Sequence, residues 1–211
     1  ELAQARIERL QGGAVRAAPR PGMAGTIDLA IRRYEVGDVV TWEVEDQLRG
    51  TTQVRRLVVT VADDDRVEFN RGALVLTQGE ARVKDNFGEK RPPIVELVAD
   101  MAVGRRWRSA FSNRAAGVEY RSFYDSRVVA LEDLTTPMGT LRCFRVEHRG
   151  EAAYPDGRLR LLRRTTWVDS TRGRVMRSDV EFRWAPSNIG IPGAITTRAS
   201  ARIVAQRLAR S

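Results

Sequence analysis

Pro137-Met138-Gly139-Thr140-Leu141-Arg142-Cys143-Phe144-Arg145-Val146-Glu147-His148 leads to a turn at Pro155-Asp156-Gly157, and Arg158 to Val168 follows. Two alternating runs flank an Asp-Gly pair, which is a local signal for a β-hairpin. In the first arm Phe144, Val146 and His148 share a face, opposite Cys143, Arg145 and Glu147. In the second, Leu159, Leu161 and Trp167 lie together with Arg163, opposite Arg160 and Arg164. An arginine on the apolar side would snorkel or meet a carboxylate.

The same period-two pattern extends outward. Val40, Trp42 and Val44 alternate with Thr41, Glu43 and Glu45, and Leu57, Val59 and Val61 return the chain. Val118, Tyr120, Ser122 and Tyr124 share one face of a long extended stretch. Ser170 to Gly173 closes a further hairpin, and Met176, Val180, Phe182 and Trp184 continue it. Ile195, Thr197, Ala199, Ala201 and Ile203 mark a terminal strand. Such alternation gives each strand one buried and one wet face. The expected fold is mostly β: a strongly curved antiparallel sheet or open barrel.

The remaining segments set the expected boundaries. Residues 1–26 read as a short N-terminal helix and a linker, broken by Gly12-Gly13 and loosened by Pro19, Pro21, Gly22 and Gly25. Residues 27–211 read as one β domain. Val103-Gly104-Arg105-Arg106-Trp107 echoes Val36-Gly37-Asp38-Val39-Val40-Thr41-Trp42, so a half-repeat would divide near residues 88–95, where Pro92-Pro93 reads as an extended connector. Asp63-Asp64-Asp65 lacks the alternate ligands, the glycine and the distal carboxylate of a calcium loop, and reads as a solvated turn.

Composition excludes several classes. The chain has 211 residues, 42% hydrophobic and 30% charged, which is a globular balance. Its formal charge is +9, and all basic residues except Lys84 and Lys90 are arginines. A coding bias toward arginine accounts for this, as does an anionic partner, since arginine pairs bidentately with phosphate and carboxylate. The arginines are spread along the chain, without the dense basic block of a nucleic-acid arm. One cysteine and one histidine exclude the usual zinc constellations and any internal disulfide. No apolar run is long enough for a membrane-spanning helix. The first residue is Glu1, so a removed export signal would leave no trace.

The Pro137–Glu147 run resembles a Pro-x-Gly-Thr-(Phe/Leu)-x-(Ala/Cys)-(Phe/Tyr)-(Arg/Lys)-(Ile/Val)-Glu pattern. That pattern occurs in a domain-of-unknown-function family of exported β-rich proteins of Gram-negative bacteria. Val103-Gly104-Arg105-Arg106-Trp107 and the hairpin Thr166 to Arg177 are similar to two further segments of the family, so the resemblance spans about residues 100–184. It implies an antiparallel β architecture and a periplasmic or outer-envelope location, and supplies no catalytic residues.

Catalysis finds little support in the residues. His148 is the sole candidate base and lies on a packed strand face, and no Gly-x-Ser-x-Gly elbow is present. Cys143 points away from His148 if the strand is regular. No Walker or Rossmann glycine pattern occurs. The expectation is a non-enzymatic protein without cofactor or metal. A curved sheet can enclose a cavity, and Trp42, Trp107, Tyr120, Tyr124, Trp167 and Arg163 are the candidate wall. The loop at Ile189-Gly190-Ile191-Pro192 would cover the mouth. The expected ligand is an apolar or anionic envelope component such as a lipid or glycan, with no specific nucleic-acid binding. The alternative is a structural or protein-docking domain of the envelope.

Overall fold

The computed structural model describes residues 27–28, 33–115, 117–185 and 195–207. The expected N-terminal helix and the loop around Ile189 lie outside these residues. The strands are β1 (Ile27–Asp28), β2 (Val39–Asp46), β3 (Thr51–Ala62), β4 (Val67–Phe69), β5 (Leu74–Leu76), β6 (Arg82–Asp85) and β7 (Gly88–Ile94). They continue with β8 (Asp100–Met101), β9 (Arg106–Ala115), β10 (Val118–Thr136), β11 (Gly139–Ala153), β12 (Leu159–Asp169), β13 (Val175–Trp184) and β14 (Ile195–Arg207).

All but β1 and β8 form one closed barrel in the order β10-β11-β12-β13-β14-β2-β3-β4-β5-β6-β7-β9. Each pairing is antiparallel, and β14 against β2 closes the ring. The short strands β1 and β8 pair with each other as a separate two-stranded sheet. The sheet is therefore closed rather than open, which leaves no edge to protect.

The hairpin that organises the sequence is β11–β12, with Ala153 opposite Leu159. Its turn is fixed by the Tyr154 and Gly157 backbone bonds, by Gly157 at φ 82°, and by Asp156 accepting from the Arg158 amide at 3.1 Å. Pro137-Met138 is itself a turn, joining β10 to β11, with Thr136 opposite Gly139. Residues 88–94 are a barrel strand rather than a connector. The pairing of β7 with β9 covers Glu89 to Arg91 and stops at Pro92, which has no N–H to offer.

The interior is filled at one end. Leu97, Met101, Trp107, Val128, Phe144, Val146 and Val168 form one apolar cluster, and Tyr34, Val59, Val67, Phe69 and Leu76 a second. A third holds Val40, Cys143, Met176 and Ile203, against which Leu134, Met138 and Leu141 of the β10–β11 hairpin pack.

The opposite end is hollow because the inward side chains shrink toward it. On β11, Phe144 and Val146 give way to Gly150 and Ala152; on β14, Ile203 gives way to Ala201 and Ala199. Ser122 on β10 and Ser178 on β13 complete the narrow-residue belt.

Candidate functional site

The hollow end encloses a cavity of about 510 Å³. That size falls within the usual range for small-ligand sites, roughly 300–1,000 Å³. Leu57, Leu74, Ile94, Phe111 and Leu162 form its apolar wall. Its aromatic rim joins strand ends to turns, with Tyr120 on β10, Phe182 and Trp184 on β13, and Phe87 and Tyr154 in turns. Tyr120 stacks on Tyr154 with ring centroids 4.5 Å apart, and Trp184 lies 5.3 Å from Tyr154. Phe87, in the β6–β7 turn, approaches Phe182 at 6.1 Å, and the Arg160 guanidinium sits 3.9 Å above the Phe182 ring.

A polar belt separates cavity from core. Glu96 is buried and accepts from Arg164 at 2.5 Å and from Arg82 at 2.9 Å. Arg164 also donates to Ser178 at 2.9 Å, and Arg82 to Asp85 at 3.1 Å. Asp85 pairs in turn with Lys90. Burial would raise the Glu96 pKa, but Arg164 and Arg82 outweigh it and hold the carboxyl at about 2. Lys90 is pushed down by burial, with Asp85 opposing. Tyr124 is pushed up to about 12 by burial, with Glu96 adding to it.

His148 lies beside this belt. Nδ1 is 2.8 Å from the Ser126 hydroxyl and Nε2 3.0 Å from that of Thr166. Burial, reinforced by Arg164, lowers its pKa to about 3, so the ring is neutral at physiological pH. Cys143 belongs to a different apolar cluster, and burial raises its thiol to about 12.

Tyr124 owes its position to a glycine. Gly150 lies directly opposite it, and a Cβ there would stand 2.2 Å from the Tyr124 ring and 2.6 Å from the Phe123 carbonyl oxygen. The ring lies across the bare glycine and meets Phe111 edge-on at 5.3 Å. Gly150→Ala is expected to cost about 1–3 kcal/mol by overpacking. Urea unfolding will read it, and a Tyr124→Ala background should relieve the ring clash while leaving the clash with the carbonyl.

Of the residues the sequence puts forward, Trp42, Tyr120 and Tyr124 line the cavity. Trp107, Trp167 and Arg163 do not. Trp107 packs in the filled end and donates to the Val95 carbonyl at 3.0 Å. Trp167 donates to Glu132 at 2.9 Å, with Arg177 4.7 Å above its ring. Arg163 is exposed, opposite Arg149 and Glu181. On β12 the inward residues are Arg160, Leu162, Arg164, Thr166 and Val168, so the side that looks more polar in sequence faces in. The ion pairs of the belt are what allow it.

The wall residues that sequence reasoning passed over include Phe87, Lys90, Phe111, Asn113 and Arg160. A signal for the hollow itself is present in the chain: Gly150 with Ala152, and Ala199 with Ala201, sit at alternate positions where a filled barrel needs bulk.

No protein-family model and no curated protein matches the sequence. Among solved structures, the chain is similar to the hypothetical lipoprotein YmcC of Escherichia coli K12, at 15% identity and TM-score 0.42, covering 80% of this chain and 83% of that one. It is also similar to a protein of Parabacteroides distasonis provisionally described as a lipoprotein, at 13% identity and TM-score 0.44, covering 88% of this chain and 100% of that one. A third is a provisionally described exported protein with a YmcC-like fold from Bacteroides fragilis, at 9% identity and TM-score 0.40, covering 86% and 99%.

Proposed function

We propose that this chain is a non-catalytic binding protein of the Gram-negative envelope whose barrel holds an apolar or anionic envelope component. The observation that carries this reading is the cavity of about 510 Å³, with an apolar wall, an aromatic rim and basic side chains at Arg82, Lys90, Arg160 and Arg164. The small inward residues of β11 and β14 make the space part of the fold rather than a packing flaw, since interiors are otherwise filled to crystal-like density. The non-catalytic part rests on His148, whose two ring nitrogens are both engaged, and on Cys143, which is buried among apolar side chains. The envelope location rests on the family resemblance of residues 100–184.

The test is saturable uptake of an environment-sensitive apolar dye, compared with variants that fill the hollow. Ala201→Trp and Ala152→Phe, made separately, should each weaken dye binding at least about tenfold while circular dichroism keeps the β signature. Equal uptake by either folded variant would place the dye elsewhere and remove the cavity reading. An absence of saturable uptake by the unmodified protein would favour the docking-domain alternative.

A further inference from the structure

The cavity wall leaves polar capacity unspent at Asn113 Oδ1, and at Arg82 Nε and Arg160 Nε, among the described residues. Lys90 on β7 and Asn113 on β9 face each other directly across the two strands. Both are buried, at 4% and 1% exposure, and both line the cavity beneath the β6–β7 turn. The Asn113 amide nitrogen donates to the Phe87 carbonyl at 2.5 Å, which fixes the amide orientation. Its Oδ1 is then a buried acceptor with no hydrogen-bond partner among the described residues. Such an atom is costly wherever it stays unmet.

The Lys90 ammonium donates to Asp85 and, at 2.6 Å, to the Gly88 carbonyl. An ammonium has three donors, so one remains. Charge points the same way. The belt holds three cations, Lys90, Arg82 and Arg164, against two anions, Asp85 and Glu96. Within the belt one positive charge is unbalanced where water scarcely reaches, and Arg82 Nε is a further buried donor without a partner among the described residues. A buried charge without a counter-charge is costly, and a ligand that supplies one binds with that advantage.

From these residues we infer that Lys90 and Asn113 are the head-group anchor for a single-chain amphiphile with a carboxylate and a neighbouring hydroxyl. The inference rests on the cavity reading above and names the ligand class. The carboxylate accepts from the spare Lys90 N–H, and the hydroxyl donates to Asn113 Oδ1. The hydrocarbon chain lies against Leu57, Leu74, Ile94, Phe111 and Leu162. A simple acid satisfies the lysine alone, and an ester satisfies neither the charge nor the amide. Burial lowers the Lys90 pKa, and an arriving carboxylate would oppose that shift and favour the ammonium.

The experiment compares three probes on the full chain at neutral pH, each below its micelle concentration: β-hydroxydodecanoate, dodecanoate and methyl dodecanoate. The hydroxy acid should bind tightest, the acid next, and the ester at least about tenfold more weakly than the acid, the size of one charge-assisted hydrogen bond. Lys90→Met should bring acid and ester to the same affinity, while Lys90→Arg keeps the preference. Asn113→Leu should remove only the advantage of the hydroxy acid. If the unmodified protein binds acid and ester alike, the anchor is wrong while the apolar cavity stands. A preference that survives in Lys90→Met overturns the anchor in the same way. If none of the three binds, the cavity reading falls and the anchor with it. The comparison on the unmodified protein needs no variant, so it decides even if a substitution fails to fold.

Discussion

Replacing Glu96 by glutamine will cost the fold roughly 3–5 kcal/mol, the cost of breaking a buried ion pair from one side. The side chains of Arg82, Glu96 and Arg164 are 25%, 8% and 14% exposed, so little solvent is available to screen what is left. The glutamine is isosteric, yet two guanidinium groups would then face a neutral amide with no carboxylate between them. Asp85 can compensate only Arg82, and it already serves Lys90. Against a typical domain stability of about 5–15 kcal/mol, such a loss should move the urea midpoint far to the left. The companion variant replaces all three, as Arg82→Met, Glu96→Leu and Arg164→Met. It should fold at or near the unmodified stability, because a buried triad exchanged whole for apolar groups forfeits its desolvation cost along with its attraction. A Glu96→Gln stability within about 1 kcal/mol of the unmodified protein would mean the belt is wetter than its burial indicates.

Acid will weaken the protein in two windows that overlap below about pH 4.5, and the upper one belongs to His148. Its pKa is lowered to about 3 in the fold, against about 6.5 in an unfolded chain. Below pH 6.5 the unfolded chain binds a proton that the native ring refuses. Stability is therefore intact above about 6.5 and falls by about 1.4 kcal/mol for each pH unit down to about 3. Between pH 7 and pH 5 the expected loss is roughly 2 kcal/mol. Burial sets the sign, and the charged groups that face the ring modify it. Arg164 and Arg82 oppose the proton, Glu96 favours it, and the hydroxyls of Ser126 and Thr166 are neutral. Glu96 governs the lower window: its depressed pKa of about 2 gives stability that is present above about 4.5 and lost as pH falls further. Urea titrations at pH 7, 6 and 5 will show the upper slope, and His148→Gln should flatten it. A slope that persists in His148→Gln would assign the effect to other groups.

Much of the architecture could be read from the chain because alternation survives wherever one side of a strand is greasy. Phe144 and Val146, or Val40 and Trp42, point inward as their spacing demands. The β11–β12 turn is where Asp156-Gly157 puts it. The rule fails on β12, where two inward arginines are accommodated by partners distant in sequence. Arg164 finds Glu96, 68 residues away, and no local pattern announces that pairing. The same failure sends Trp167 and Arg163 to the outside. Irregular pairing also blurs parity: the register shifts at Val128/Ala130 and Trp167/Val168 are bulges. Three of the proposed wall residues do line the cavity, since Trp42, Tyr120 and Tyr124 sit on strands with undisturbed alternation near the hollow end. What a search for large aromatics overlooks is that a cavity is made by the small residues opposite them.

The seam between β14 and β2 has a consequence for how the molecule is made. Ala199 to Arg207 lie against Val39 to Asp46, so the ring is completed by residues separated by most of the chain. During synthesis β2 and β13 each wait with a bare ribbon of amide and carbonyl groups until β14 arrives to occupy both. A nascent polypeptide halted before that point is an open staple, able to hook a second copy of itself as readily as its own missing piece.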